Sequence, residues 1–275
     1  MDAGVSTVTV VFSSTAVGWP YPVGDRWGKY SLEEALAANP DNPLAHAFLA
    51  EVLAAQGLYE EAGTQSRIAR DAAPNLLEVR RARADIMSVG VVPRILAKQT
   101  DGRWNEPGRF YRDKYKGTVW QLILLAEHRA DGRDPRIRAA VEYLLGCSQD
   151  PESGGFAYDQ AAGGRGGRHS EVIPCLTGNM TWSLIRLGFL GDERVRRAID
   201  WITTCQRFDD GAAVKPTGWP YDRFEMCWGR HSCHMGVAKA LKALVAIPPD
   251  RRTPAVSAKI DQLTDYFLAH HLYKK

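Results

Sequence analysis

The stretch DPRIRAAVEY at residues 134–143 recurs at residues 192–201 as DERVRRAIDW, an offset of 58 from residue 134 to residue 192. Both copies space their apolar residues three and four positions apart, as amphipathic helices do. Residues 120–123 (WQLI) precede the first copy, and residues 182–185 (WSLI) precede the second. We predict that each copy is a helical hairpin, with an apolar inner helix followed by an Arg-rich outer helix.

A weaker third copy follows the second. Residues 236–244 supply its inner helix, and the six-residue step from Ile260 to Tyr266 matches the step from Ile137 to Tyr143. Three copies of one helical unit, with no alternating pattern of strand type between them, predict an all-α fold.

The segments that join the copies also recur. Link 1 (residues 99–104), link 2 (149–156) and link 3 (206–211) each begin with Gln and contain a Gly, and an aromatic residue follows in the first two. We expect each Gln side chain to hydrogen-bond groups at a helix end and so to tie neighbouring hairpins together.

These links resemble the QW motif of squalene and oxidosqualene cyclases, whose helical toroid is shared by the β subunits of protein prenyltransferases. The resemblance implies that residues 76–275 form a partial α/α toroid with a ligand pocket at one end of its inner helices. With three full hairpins, we expect the ring to be incomplete in this chain. A shared fold does not establish a shared chemistry.

The preceding segment has a different character. Residues 31–75 resemble one tetratricopeptide repeat, because AQG at 55–57, YEEA at 59–62, Ala69 and Pro74 follow that family's order and spacing. The alternative is an ordinary helical hairpin. Residues 1–30 are interpreted as a leader of unknown structure.

Composition limits the classes of function. The chain has 275 residues, 45% hydrophobic, and its 35 basic and 32 acidic residues are spread without a basic run, so we do not expect nucleic acid as a partner. No apolar stretch reaches the roughly 18 residues of a transmembrane helix, and no secretory signal is evident. We therefore expect a cytoplasmic protein, in which five cysteines serve as core residues, metal ligands or nucleophiles rather than in disulfides.

The second and third copies bring reactive side chains to one level. Alignment of the inner helices on their leucines places Cys175 level with the cluster of residues 227–234, CWGRHSCH. Thiolate and imidazole donors suit tetrahedral Zn²⁺. The HSC element also resembles HTC around the histidine zinc ligand of prenyltransferases, although Ile173 stands where that family has Asp. We therefore predict a zinc site formed by Cys175, Cys227, His231 and Cys233. The alternative is that these cysteines are small buried residues of the core.

Other side chains near this level could line a pocket. The aromatic, charged loop before the Cys/His cluster is the best candidate for its rim. The alternative is that about half of these aromatic side chains belong to the core. The Gly-rich stretch 163–167 is interpreted as a plain linker. The candidate pocket residues are Asp113, Trp182, Trp219, Tyr221, Glu225, Trp228 and His234.

Two functions are consistent with this sequence. The first is a prenyltransferase- or cyclase-like protein that binds an apolar, isoprenoid-like small molecule, with or without catalysis. The cyclases' acidic Asp-x-Asp-Asp motif is absent, and Asp209-Asp210 is interpreted as an acidic turn. The second is a non-catalytic helical-repeat module that binds a protein partner.

Overall fold

The computed structural model describes residues 26–80, 82 and 91–271. The chain divides into two compact units, residues 1–90 and 91–275. The two units divide after Gly90, whereas the tetratricopeptide-like segment was predicted to end at Asn75. Throughout the described residues the regular elements are helices, with isolated β-bridges between residues 100 and 103 and between 149 and 172, so the predicted all-α class is confirmed. None of the helices in these residues is long and apolar enough to cross a membrane.

The first unit contains α1 (Arg26–Ala38), α2 (Pro43–Ala55) and α3 (Tyr59–Ala72), followed by helical residues at 77–80 and 82. Asn42 caps α2, since its side chain accepts hydrogen bonds from the first-turn N–H groups. Gly57 adopts φ +79° and ends the turn between α2 and α3. These two helices pack together and lie within residues 31–75, the range predicted for a helical hairpin. Of the leader interpreted at residues 1–30, residues 1–25 lie outside the described residues.

The second unit contains three consecutive hairpins preceded by a short helix. Each hairpin consists of an inner helix and the outer helix that follows it. The helices are α4 (Val91–Leu96), α5 (Thr118–Glu127), α6 (Pro135–Ser148), α7 (Pro174–Arg186), α8 (Glu193–Cys205), the four-residue α9 (Glu225–Trp228), α10 (His234–Val245) and α11 (Pro254–Ala269).

The inner helices pack side by side. Helix α7 contacts α5 on one side and α10 on the other, while α6, α8 and α11 each pack on their own inner helix. The approach of α7 to α10 depends on Gly178, where an added Cβ would lie 2.6 Å from the carbonyl carbon of Lys239. A glycine at this point therefore allows the two inner backbones to meet directly.

The third outer helix begins one turn earlier than the sequence match indicates. Pro254 occupies the first turn of α11 as Pro135 does in α6, which pairs Val256, not Ile260, with Ile137. Val256 and Ile137 are both buried in their helices. An amphipathic helix repeats its apolar face after four residues, so the sequence pattern alone fits either alignment.

Links 1 and 2 dock on equivalent positions of successive outer helices. The Gln99 side chain donates to the Arg136 carbonyl (2.9 Å), and Gln149 donates to the Arg194 carbonyl (2.7 Å). Both acceptors are backbone carbonyls in the first turn of an outer helix, where they also accept a hydrogen bond within the helix. A carbonyl oxygen has two lone pairs, so it can accept the Gln amide as well. Gln149 is buried, so this bond is shielded from water.

The glycines of these links also occupy equivalent positions. An added Cβ at Gly102 would lie 2.7 Å from the Ala139 carbonyl oxygen, and one at Gly154 would lie 2.8 Å from that of Arg197. Ala139 and Arg197 are 58 residues apart, which is the offset of the repeat. The predicted tie between hairpins is therefore present at links 1 and 2, and both glycines have positive φ.

Candidate functional site

Three thiols from two repeats interact electrostatically near the amino-terminal ends of α7 and α10. A hydrogen bond with Cys233, then burial, and then the negative charges of Cys233 and Cys175 raise the pKa of Cys227. Burial first, and then the charge of Cys233, raise the pKa of Cys175, while Lys239 acts in the opposite direction. This interaction agrees with the predicted convergence of Cys175 and Cys233, and the convergence itself stays a prediction.

Helix starts position these thiols. Cys175 follows Pro174, which fixes the first residue of α7, and Cys233 is the residue that immediately precedes α10. Cys227 lies in α9, whose carbonyl-terminated end packs against the buried guanidinium of Arg207.

A row of aromatic rings borders the thiols. Burial, and then the charges of Cys175 and Cys227, raise the pKa of Tyr111. Its ring stacks on Trp120 (centroids 5.8 Å apart) and lies 6.2 Å from that of Tyr158. Tyr158 in turn makes an edge-on contact with Phe224, with ring centroids 5.7 Å apart. Phe224 immediately precedes α9, so the row of rings ends beside the helix that contains Cys227.

One buried carboxylate accompanies these rings. Glu171 lies in a short 3₁₀ turn before α7 and accepts a hydrogen bond from Arg223 (3.0 Å). Burial, together with a hydrogen bond to Glu171, raises the pKa of Tyr158 to about 12. Tyr158 therefore stays protonated at neutral pH.

His231 does not join the thiols. Its Nδ1 pairs with the Asp210 carboxylate, which also lies 3.4 Å from His270 Nε2, and the His231 side chain is 61% exposed. Within residues 26–80, 82 and 91–271, no group of three or more His, Cys, Asp and Glu side chains is arranged to hold a metal ion. The predicted zinc set is thus divided between a thiol cluster and a separate Asp–His cluster.

Two of the predicted pocket residues are core residues. Trp228 is 1% exposed and makes edge-on ring contacts with Trp201 and Tyr221. Trp182 is buried in the middle of α7, with the Lys242 ammonium 3.5 Å from its ring centroid. Their apolar surface is already covered by the protein, as the alternative of core packing predicts.

The other predicted residues lie around the site with partners of their own. Asp113 pairs with Arg109 before α5, and Glu225 pairs with Lys215. Tyr221 donates to the Cys205 carbonyl, and the His234 ring lies 4.8 Å from that of Phe267. Trp219 stacks on His169 with centroids 4.2 Å apart.

The Gly-rich stretch 163–167, interpreted as a plain linker, is packed at Gly166 and Gly167, whereas Gly163 and Gly164 have open space around them. Gly166 N–H donates to the Gly146 carbonyl, and Gly167 N–H donates to that of Gln149. An added Cβ on Gly167 would lie 2.2 Å from the Ser148 carbonyl oxygen. The stretch therefore folds against the end of α6 and supports Asp159, which pairs with Arg112.

Sequence reasoning missed Tyr111, Tyr158 and Glu171. They occupy irregular segments before α5 and α7, where no periodic pattern indicates which side chains turn inward. Their position in the sequence could have indicated them, because each lies in the segment that precedes an inner helix, and the pocket was expected at one end of the inner helices. In comparisons with known proteins, no family model, no curated protein and no solved structure matches this chain.

Proposed function

We propose that residues 91–271 bind an apolar, isoprenoid-like small molecule at the amino-terminal ends of α7 and α10, in a prenyltransferase- or cyclase-like partial toroid. The observation that carries this proposal is the electrostatic interaction of three thiols from two repeats with one another and with Tyr111, whose ring lies 6.2 Å from that of Tyr158. Small-molecule sites in proteins are mostly apolar, with a few polar groups that orient the ligand.

The chemistry of the lining agrees with such a ligand. Thiols behave as small hydrophobic groups, and aromatic faces attract both hydrocarbon and cationic carbon centres. The Glu171–Arg223 pair and the Tyr158 hydroxyl supply the few polar groups. Five free cysteines suit a reducing compartment, so the proposal places the protein in the cytoplasm.

Zinc binding stays a prediction from the sequence. The three thiols are donors that zinc favours, but the described residues form no group of three or more His, Cys, Asp and Glu side chains arranged for a metal ion. No step of the proposal therefore involves a metal. Metal analysis of the purified protein checks the prediction: stoichiometric zinc that is lost in Cys233→Ser supports it, and its absence assigns the thiols to the apolar wall.

Equilibrium dialysis with a labelled isoprenoid alcohol such as farnesol tests ligand binding. We expect saturable binding that Phe224→Ala weakens about tenfold, because a ring in contact with the ligand contributes roughly 1–3 kcal/mol. Phe208→Ala is the matched control, since this ring is exposed on link 3 beside Lys259. Absence of saturable binding by the unsubstituted protein would refute the proposal.

The second candidate is a helical-repeat module that binds a protein partner without chemistry. The first unit favours it, because α2 and α3 leave Leu44, Leu58 and Ile68 exposed. Failure of the dialysis experiment, with the fold intact, would make this second candidate the better account.

A further inference from the structure

The buried carboxylate of Glu171 offers an unused hydrogen-bond acceptor. Its Oε1 accepts hydrogen bonds from the Arg223 guanidinium (3.0 Å) and from the Ser170 hydroxyl (3.4 Å). Its Oε2 is buried and has no hydrogen-bond partner within the described part of the chain. The side chain is only 8% exposed. A carboxylate can accept hydrogen bonds at both oxygens, and leaving one of them buried and unbonded costs free energy.

This carboxylate lies at one end of the aromatic row. The Tyr158 N–H donates to the Glu171 backbone carbonyl (3.2 Å), so these two residues lie on adjacent segments of the chain fold. The Arg223 guanidinium, which pairs with Glu171, lies 5.6 Å from the centroid of the Phe224 ring. Tyr158 and Phe224 are themselves in edge-on contact. Glu171 is therefore connected to both rings at the Phe224 end of the row.

The charged groups beside these two rings do not favour an anionic ligand. Arg223 is paired with Glu171, and Arg112, which lies 5.7 Å from the Tyr158 ring centroid, is paired with Asp159 (2.8 Å). Each guanidinium that lies over these rings is thus neutralised by a carboxylate. A diphosphate brought to this end of the row would meet the negative charge of Glu171, which is buried and therefore weakly screened by salt.

We propose that the ligand of this site has a hydroxyl head group, which donates a hydrogen bond to Glu171 Oε2 while the hydrocarbon chain lies along the aromatic row. This inference rests on the proposed function and narrows its ligand to an isoprenoid alcohol. A donor at Oε2 satisfies the carboxylate oxygen that the described residues leave unbonded, and burial makes this bond stronger than it would be in water. Arg223 is 51% exposed, so its side chain can turn outward and open this oxygen to the ligand.

Competition against labelled farnesol in equilibrium dialysis tests the head group. The competitors are unlabelled farnesol, farnesyl methyl ether and farnesyl diphosphate, which share one hydrocarbon chain. The ether can accept a hydrogen bond but cannot donate one, and the diphosphate is an anion. We expect the ether to compete about tenfold more weakly than farnesol, because it lacks the donor and leaves the buried carboxylate oxygen unbonded. The diphosphate should also compete more weakly than farnesol.

The variant Glu171→Gln identifies the acceptor. Its amide keeps the shape of the carboxylate and can still accept from Arg223 through one oxygen, but it has an NH₂ group in place of Oε2. An NH₂ group accepts no hydrogen bond and can donate to the ether oxygen, so the roughly tenfold preference for farnesol over the ether should disappear. Glu142→Gln is the matched control, because this exposed carboxylate pairs with Arg194 between outer helices, and it should keep the preference of the parent.

The outcomes separate the head group from ligand binding itself. Equal competition by farnesol and its methyl ether, or tighter binding of the diphosphate, would overturn the hydroxyl assignment while the proposed binding of an apolar ligand stands. A preference for farnesol that survives in folded Glu171→Gln would assign the hydroxyl to another acceptor and would also overturn it. If that variant does not fold, the three competitors on the parent protein still decide the head group. If none of the three compounds binds saturably, the proposed function fails, and this inference fails with it.

Discussion

Link 2 and link 3 begin with the same residue and place a glycine five positions later, yet only link 2 holds that glycine against the outer helix that follows it. In link 2, Gly154 contacts the Arg197 backbone, and Gln149 donates to the Arg194 carbonyl. In link 3, the nearest atom to an added Cβ on Gly211 is in His231, at 4.0 Å.

The residue after the shared Gln explains the difference. Asp150 of link 2 folds back on its own loop, where it accepts hydrogen bonds from Ser153 and pairs with His169 (2.8 Å). Arg207 of link 3 is buried and donates to the Gly229 carbonyl while it pairs with Asp209. A buried guanidinium must find acceptors, and those at the end of α9 draw link 3 toward the loop between Cys227 and Cys233.

This difference has a functional consequence. A link that docks on the next outer helix, as link 2 does, serves mainly to hold neighbouring hairpins together. Where the link docks on α9 instead, it positions the short segment that carries two of the three thiols. The site of the proposed function therefore lies where the structural repeat is broken.

The largest expected effect is that of an added methyl group on the link 2 glycine. Gly154→Ala should lower the free energy of unfolding by about 2–5 kcal/mol, because it combines a left-handed backbone with overlap on Arg197. The matched change Gly211→Ala, with φ +65° but open space, should cost about 1–2 kcal/mol. Chemical denaturation of both variants measures the difference, and equal losses would show that link 2 is not docked.

The glutamines provide a second, smaller contrast. Gln149→Ala should cost about 1–3 kcal/mol, because it removes a buried amide that donates to the Gly154 and Arg194 carbonyls. Gln206→Ala should cost less, since its amide donates only to the adjacent Arg207 carbonyl and its Oε1 is buried without a hydrogen-bond partner in the described part of the chain. Thermal unfolding compares the two, and a larger loss in Gln206→Ala would reverse the comparison.

The smallest contrast concerns pH and the acidic residues of the two links. Burial alone would raise the pKa of Asp150, but hydrogen bonds from Ser153 and His169 outweigh it and hold the pKa below its usual value. The pKa of Asp210 is lowered in the same way by His231 and His270 against the effect of burial. Each ionised carboxylate therefore adds stability above about pH 4, and this contribution is lost as the pH falls through the lowered folded-state pKa.

Two substitutions separate these contributions. Asp150→Asn should lower the free energy of unfolding at pH 7 and should make that free energy less dependent on pH below about 4. Both effects should be larger than in Asp210→Asn, because the Asp150 side chain is almost fully buried. Unfolding measured between acidic and neutral pH gives both slopes. A steeper acid loss in Asp150→Asn than in the parent would contradict the assigned direction of the pKa.

The repeated hairpins were predictable because helices reveal themselves in apolar spacing. The helix start at Pro135 and the cap at Asn42 follow directly from local residue preferences. The alignment of α11 was not predictable, since a shift of one turn preserves the same apolar face. Arg207 was missed because a sequence pattern does not show which arginine will be buried.

The candidate site was predicted in part for the same reasons. Equal offsets along matched helices predict that Cys175 lies level with Cys233, and, besides burial, the charge of Cys233 raises the pKa of Cys175. His231 was predicted to belong to the same site because it is two residues from Cys233. In the structure, the loop before α10 turns the His231 ring toward Asp210. Irregular segments carry no periodic signal, so their side-chain directions depend on tertiary contacts alone.

The meeting of Cys175 with the Cys227–Cys233 pair is the central claim, and a short bifunctional thiol reagent tests it directly. In a variant with Cys147→Ser and Cys205→Ser, dibromobimane should bridge two of the three remaining thiols. Some product should then link tryptic peptide 169–186 to 224–230 or 231–239. Cys227→Ser in this background should increase the link between Cys175 and Cys233. If peptide 169–186 is only ever singly alkylated, the two repeats do not share a thiol site.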